Sequence, residues 1–105
     1  MELTREKRDD LIQRIVRAAN PLRIILFGSF ARGEARPYSD VDVLIVVPDG
    51  VHRRHTAEAV YRELWGFDMD VDVVVATISD VEKYRHSPSL IYRAALQDGK
   101  ELYVA

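Results

Sequence analysis

Apolar residues fall at Leu11, Ile12, Ile15, Val16 and Ala19, a single stripe at helical spacing. Thr4 stands where it can cap that helix, and Asn20-Pro21 stops it. The period then changes. Leu22 to Phe27 is a nearly continuous apolar run of strand length, the pattern of a buried strand. Gly28 marks a turn, and Ser29 to Glu34 is compatible with a short helix. Arg36-Pro37-Tyr38-Ser39 reads as a loop, and Asp40 to Val47 as a β-branched strand ended by Pro48-Asp49-Gly50. His52 to Trp65 predicts a helix with Gly66 as its C-terminal stop. Asp68 to Ala76 predicts a strand that is polar and apolar by turns at its start. Thr77 and Asp80 have the spacing of a capping box, opening a helix to about Arg85. Ser87-Pro88 begins a last helix, Gly99 ends it, and Glu101 to Val104 makes a terminal strand.

Helices and strands therefore alternate, which predicts an α/β domain with helices flanking one sheet. The segment between Phe27 and Asp40 is short for a parallel crossover, so a mixed sheet is expected. Residues 1–105 are of a length for one domain. Composition changes this little: 48% apolar and 30% charged residues suit a globular chain. It does exclude some chemistry. With no cysteine, disulfides and thiolate metal sites are ruled out, which fits a cytoplasmic location. The longest apolar runs are far below the ~20 residues a membrane helix needs. No apolar segment follows the charged start, so no signal peptide is expected. A net charge of -2 argues against broad nucleic-acid binding, which calls for a basic face.

Three features carry chemistry. Asp40 and Asp42 occupy alternate strand positions and so share one face. Two carboxylates held there raise each other's pKa unless a cation lies between them, and Mg²⁺ prefers such hard oxygen ligands. Gly28-Ser29 sits where a strand gives way to a helix, a place where backbone can approach a ligand closely and N–H groups favour phosphate. Neither the phosphate-loop pattern nor the Gly-x-Gly-x-x-Gly fingerprint is present. Asp68, Asp70 and Asp72 alternate along the third expected strand, with Val71, Val73 and Val75 on its other face. Asp72, carried next to a run of valines, calls for a partner or a metal. Running the first two strands antiparallel places the phosphate turn beside the paired carboxylates, and a third strand can add Asp72. Such a cluster suits two metals clamping an in-line phosphoryl or nucleotidyl displacement.

Gly28-Ser29-Phe30-Ala31-Arg32-Gly33, then Ser39-Asp40-Val41-Asp42 with ten residues between Ser29 and Asp40, and a later strand aspartate resemble the DNA polymerase beta-like nucleotidyltransferases. The similarity is to the minimal nucleotidyltransferases and spans nearly the whole chain. It implies the nucleotidyltransferase, polymerase beta palm-like fold. By residue, it implies that Gly28 and Ser29 hold the triphosphate of ATP, and that Asp40 and Asp42 bind two Mg²⁺ ions. Asp72 matches the third, metal-binding carboxylate, which helps deprotonate the acceptor hydroxyl; Asp70 is the competing assignment. Arg32 and Ser39 match the motif and are expected at the nucleotide, with contact to phosphate or bracing of the loop both open for Arg32.

Only about thirty residues follow Asp72, so the acceptor site is expected to come largely from another molecule. The resemblance implies a helical HEPN-family partner, a toxin, with this chain as antitoxin transferring AMP to a partner tyrosine. Contact-only neutralisation, or transfer to a small molecule or an RNA end, are the alternatives, and the oligomeric state stays open. No Arg-x4-6-His motif of a HEPN protein lies within the chain.

Other candidates are declined as chemistry. His52, His55 and His86 lack a completing carboxylate arrangement, and Arg53 and Arg54 would repel a cation, so they are expected as exposed helix residues. Tyr61, Trp65 and Phe67 are expected in core or interface packing. Tyr84, Tyr92 and Tyr103 are expected in the core, with a partner surface as the alternative. Arg5 to Asp10 is mixed in sign, as on a solvated helix face.

Overall fold

The computed structural model describes residues 2–85 and 90–105. Helix α1 (Arg5–Ala19) begins where Thr4 accepts from the Lys7 N–H, and ends where Asn20 takes a left-handed conformation. Strand β1 (Arg23–Phe27) leads through Gly28 into the short helix α2 (Ser29–Arg32). Strand β2 (Val41–Val47), helix α3 (Arg53–Glu63) and strand β3 (Val71–Thr77) follow. Helix α4 (Ile78–Tyr84) opens with the Thr77–Asp80 capping box, both halves formed. Helix α5 (Leu90–Arg93) runs into a π-helical turn (Ala94–Asp98), and strand β4 (Lys100–Val104) closes the order.

The four strands form one mixed sheet in the order β3-β2-β1-β4. Strand β1 pairs antiparallel with both β2 and β4, while β2 and β3 run parallel through the crossover helix α3. Helices α1 and α3 cover one face, where Leu11, Ile15, Val60 and Leu64 pack on Ile24, Leu26, Val43 and Ile45. On the other face Val81 and Ala95 pack on Ile25, Leu44, Val46 and Ala76. From Val43 to Val47 strand β2 is thus buried on both sides, which explains the unbroken apolar run of that stretch. Each such side chain contributes about 1.5–3 kcal/mol of burial.

Three expectations change. Strand β3 starts at Val71 rather than Asp68, because its pairing partner β2 starts only at Val41, opposite Val71. Asp68 and Asp70 therefore lie in the approach to the strand, and Asp68 pairs with Lys7 instead. Helix α3 ends at Glu63, and Trp65 leaves the core altogether at 86% exposed. Val60 and Leu64 take the inward face, so Tyr61 and Trp65, one position further round, face out. His86 and the Ser87-Pro88 helix start lie outside the described residues. His52 and His55 are exposed as expected; His52 also caps α3 through its Nδ1, and the two rings stack at 3.8 Å.

Candidate active site

The antiparallel pairing of β1 with β2 sets Phe27 opposite Asp42, so the turn at Gly28 lies against that carboxylate. Gly28 adopts φ 74°, ψ -154°, a region essentially reserved for glycine. A Cβ built there would meet Asp42 Oδ2 at 2.2 Å. Glycine is required both by the backbone and by this approach. Beyond it, the Gly28 carbonyl accepts from the Ala31 and Arg32 N–H groups, which leaves the first N–H groups of α2 without partners inside the helix.

The parallel register of β2 and β3 brings Asp42 and Asp72 side by side on adjacent strands. Both point to the face of Leu44 and Val74, at the end where that face is open, and Asp40 stands just before β2 on the same alternation. The Asp42 carboxyl is pushed above its ordinary pKa by burial first, then by Asp72 and Asp40, with Arg32 opposing. A cation between these carboxylates would relieve that repulsion. The side-chain carboxylates of Asp40, Asp70 and Asp72 make no hydrogen bond or ion pair among the described residues.

The remaining motif residues have structural duties. Arg32 Nε donates to Glu34 at 3.2 Å, and its charge reaches Asp42. Ser39 Oγ accepts from the Arg36 N–H at 2.8 Å and the Ser39 N–H donates to the Arg36 carbonyl, closing a tight turn with Pro37-Tyr38 at its tip. Asp70 lies outside the strand, but its carbonyl accepts from the Val41 N–H and ties the two strand entries together. Among the described residues no three His, Asp or Glu side chains converge as a preformed metal cage. The donor set still fits Mg²⁺, which binds through one or two carboxylates plus substrate phosphates rather than an all-protein cage. The sequence reads Arg36-Pro37-Tyr38-Ser39 as a loop, and the structure closes that loop into a tight turn that presents Tyr38.

The nucleotidyltransferase domain model matches residues 8–100. The chain belongs to the nucleotidyltransferase domain family. A bifunctional uridylyltransferase/uridylyl-removing enzyme of Burkholderia thailandensis is 35% identical over 60 residues, 54% of this chain. This nucleotidyltransferase spans only 7% of the length of that relative. Among solved structures, a toxin–antitoxin with AMP-PNP superimposes with a TM-score of 0.69 at 21% identity, covering 93% of this chain and 73% of that one. A complex of tri-AMPylated Shewanella oneidensis HEPN toxin with MNT antitoxin gives 0.66 at 18%, covering 98% and 74%. A structure described as a minimal nucleotidyltransferase gives 0.61 at 25%, covering 91% and 89%. The fold is that of the minimal nucleotidyltransferases, as the motif implied. No described helix is long and apolar enough to cross a membrane.

Proposed function

We propose that this nucleotidyltransferase moves AMP from ATP to a hydroxyl of a partner protein, a HEPN-family toxin, and acts as its antitoxin. The observation that carries the chemistry is the Gly28 turn pressed against Asp42, with Asp72 in register beside it. In this reading the Gly28-Ser29 turn and the start of α2 hold the triphosphate. Asp40, Asp42 and Asp72 would hold two Mg²⁺ ions, which would neutralise the developing phosphate charge. The acceptor hydroxyl oxygen forms a bond to the α-phosphorus, the bond to the β-phosphate breaks, and pyrophosphate leaves. The hydroxyl proton passes to Asp72, whose carboxylate is exposed and without a competing side-chain partner among the described residues.

AMP-PNP in one structural neighbour and the AMPylated HEPN toxin in another support the donor and the acceptor. The uridylyltransferase relatives support UTP as the competing donor. The deciding experiment incubates the protein with labelled ATP or UTP, Mg²⁺ and the HEPN protein encoded beside it. Transfer of label from ATP to the partner, lost in an Asp40→Asn, Asp42→Asn double variant, is the expected result. Neutralisation of the partner that survives that double variant without any transfer would establish contact-only action instead.

A further inference from the structure

Strand β3 forms one edge of the sheet, so every second backbone N–H along it points away from β2 and meets no neighbouring strand. The Val73 N–H is one of these, and it donates to the Tyr61 hydroxyl at 2.9 Å. The Thr77 N–H is another, and it donates to the Asp80 carboxylate at 3.0 Å. The second bond belongs to the capping box of α4. The first has no such local reason, because it runs from the crossover helix α3 to the third residue of β3. Val60 and Leu64 are buried against the sheet and fix α3 there. Tyr61 lies between them in sequence, and its half-exposed side chain reaches the strand edge.

We infer that Tyr61 is a positioning residue for Asp72. The Val73 N–H and the Asp72 carbonyl belong to one planar peptide unit, which also contains the Asp72 Cα. No peptide among the described residues is cis, so the two groups point opposite ways. The N–H goes out to Tyr61, and the carbonyl goes inward to β2. It keeps step there with the Asp70 carbonyl, which accepts from the Val41 N–H at 2.9 Å. The unit is therefore held from both sides, and with it the direction in which the Asp72 side chain leaves the backbone. That direction matters because Asp72 stands level with Asp42 on the neighbouring strand. A third carboxylate serves the other two only at a fixed separation from them. The Val73 side chain packs on the core under α1 and α3, which holds the strand down but leaves the tilt of the Asp72–Val73 peptide to its hydrogen bonds. The consequence for transfer rests on the nucleotidyl-transfer reading; the hold on the peptide does not.

The test compares the wild type with Tyr61→Phe and Thr77→Ala. Tyr61→Phe keeps the ring and removes only the acceptor, while Thr77→Ala loosens the same strand at its far end. In the metal-free protein, hydrogen exchange read by NMR should show the Val73 amide losing about tenfold of its protection in Tyr61→Phe alone. With labelled ATP, Mg²⁺ and the HEPN partner, kcat should fall about tenfold in Tyr61→Phe while KM for ATP stays within about twofold. Thr77→Ala should transfer at the wild-type rate. Mn²⁺ is a probe that needs no acceptor: it should broaden the NMR signals of Asp42 and Asp72 in the wild type, and that of Asp72 less in Tyr61→Phe. Unchanged Val73 protection, or a wild-type kcat in Tyr61→Phe, overturns the proposal. An equal loss of kcat in Thr77→Ala overturns it too, since Tyr61 would then only support the strand. Wild-type protein that transfers nothing to the partner, yet shows the Mn²⁺ difference, sinks the nucleotidyl-transfer reading and leaves the hold on Asp72 standing. Transfer that Tyr61→Phe leaves intact sinks the positioning role alone.

Discussion

Gly28 and Asp42 predict opposite effects on stability although they touch. In Gly28→Ala, the left-handed backbone and the contact with Asp42 Oδ2 both resist a Cβ. Stability should fall by about 1–2 kcal/mol and nucleotide transfer at least tenfold, read by thermal melting and labelled ATP. Asp42→Asn removes a charge held beside Asp72 and Asp40 in a partly buried place. The metal-free variant should melt about 2–4 °C above the wild type while transfer drops by about 10²–10³-fold. A lower melting temperature would mean that the carboxylates do not repel one another as the register places them. At this scale the sequence was readable in type but not in contact. Gly28 reads as a turn and Asp42 as a strand carboxylate, yet their abutment follows from the pairing of Phe27 with Asp42, which no local pattern encodes.

Helix α4 spans only seven residues, too short to persist on its own propensity, so its capping box matters. Thr77→Ala should cost about 1 kcal/mol in chemical denaturation. Asp80 also gives α4 a pH dependence. Its carboxyl is held below the ordinary 3.8 by the Thr77 backbone N–H above all, with the Thr77 hydroxyl and Arg53 adding to it and burial opposing. A depressed carboxyl stabilises the fold fully above its unfolded pKa, and that contribution is lost as pH falls through the lower folded value. Acid melts below about pH 4 should therefore be shallower in Asp80→Asn than in the wild type. The capping box was legible because it is a contact between residues three apart. The start of β3 and the outward turn of Trp65 were not. The first is set by register against β2, and the second by which face Val60 and Leu64 bury.

Across the whole molecule, a ligand that binds only the folded state adds stability by mass action. ATP with Mg²⁺ at a hundredfold excess over its Kd should add about 2.7 kcal/mol, and EDTA should remove it. No rise in melting temperature, with the HEPN partner present as well, would contradict the proposed site. Taken alone, the sequence determined the alternation of helices and strands, the mixed sheet and the motif on which the family rests. These are local or period-based properties, written in side-chain patterns along one element. Only the tertiary structure decided that Asp72 stands level with Asp42 and that Gly28 touches the carboxylate. Those facts join residues 14 and 30 positions apart, and they depend on strand register and on the path of a crossover helix, which the packing of the whole sheet sets.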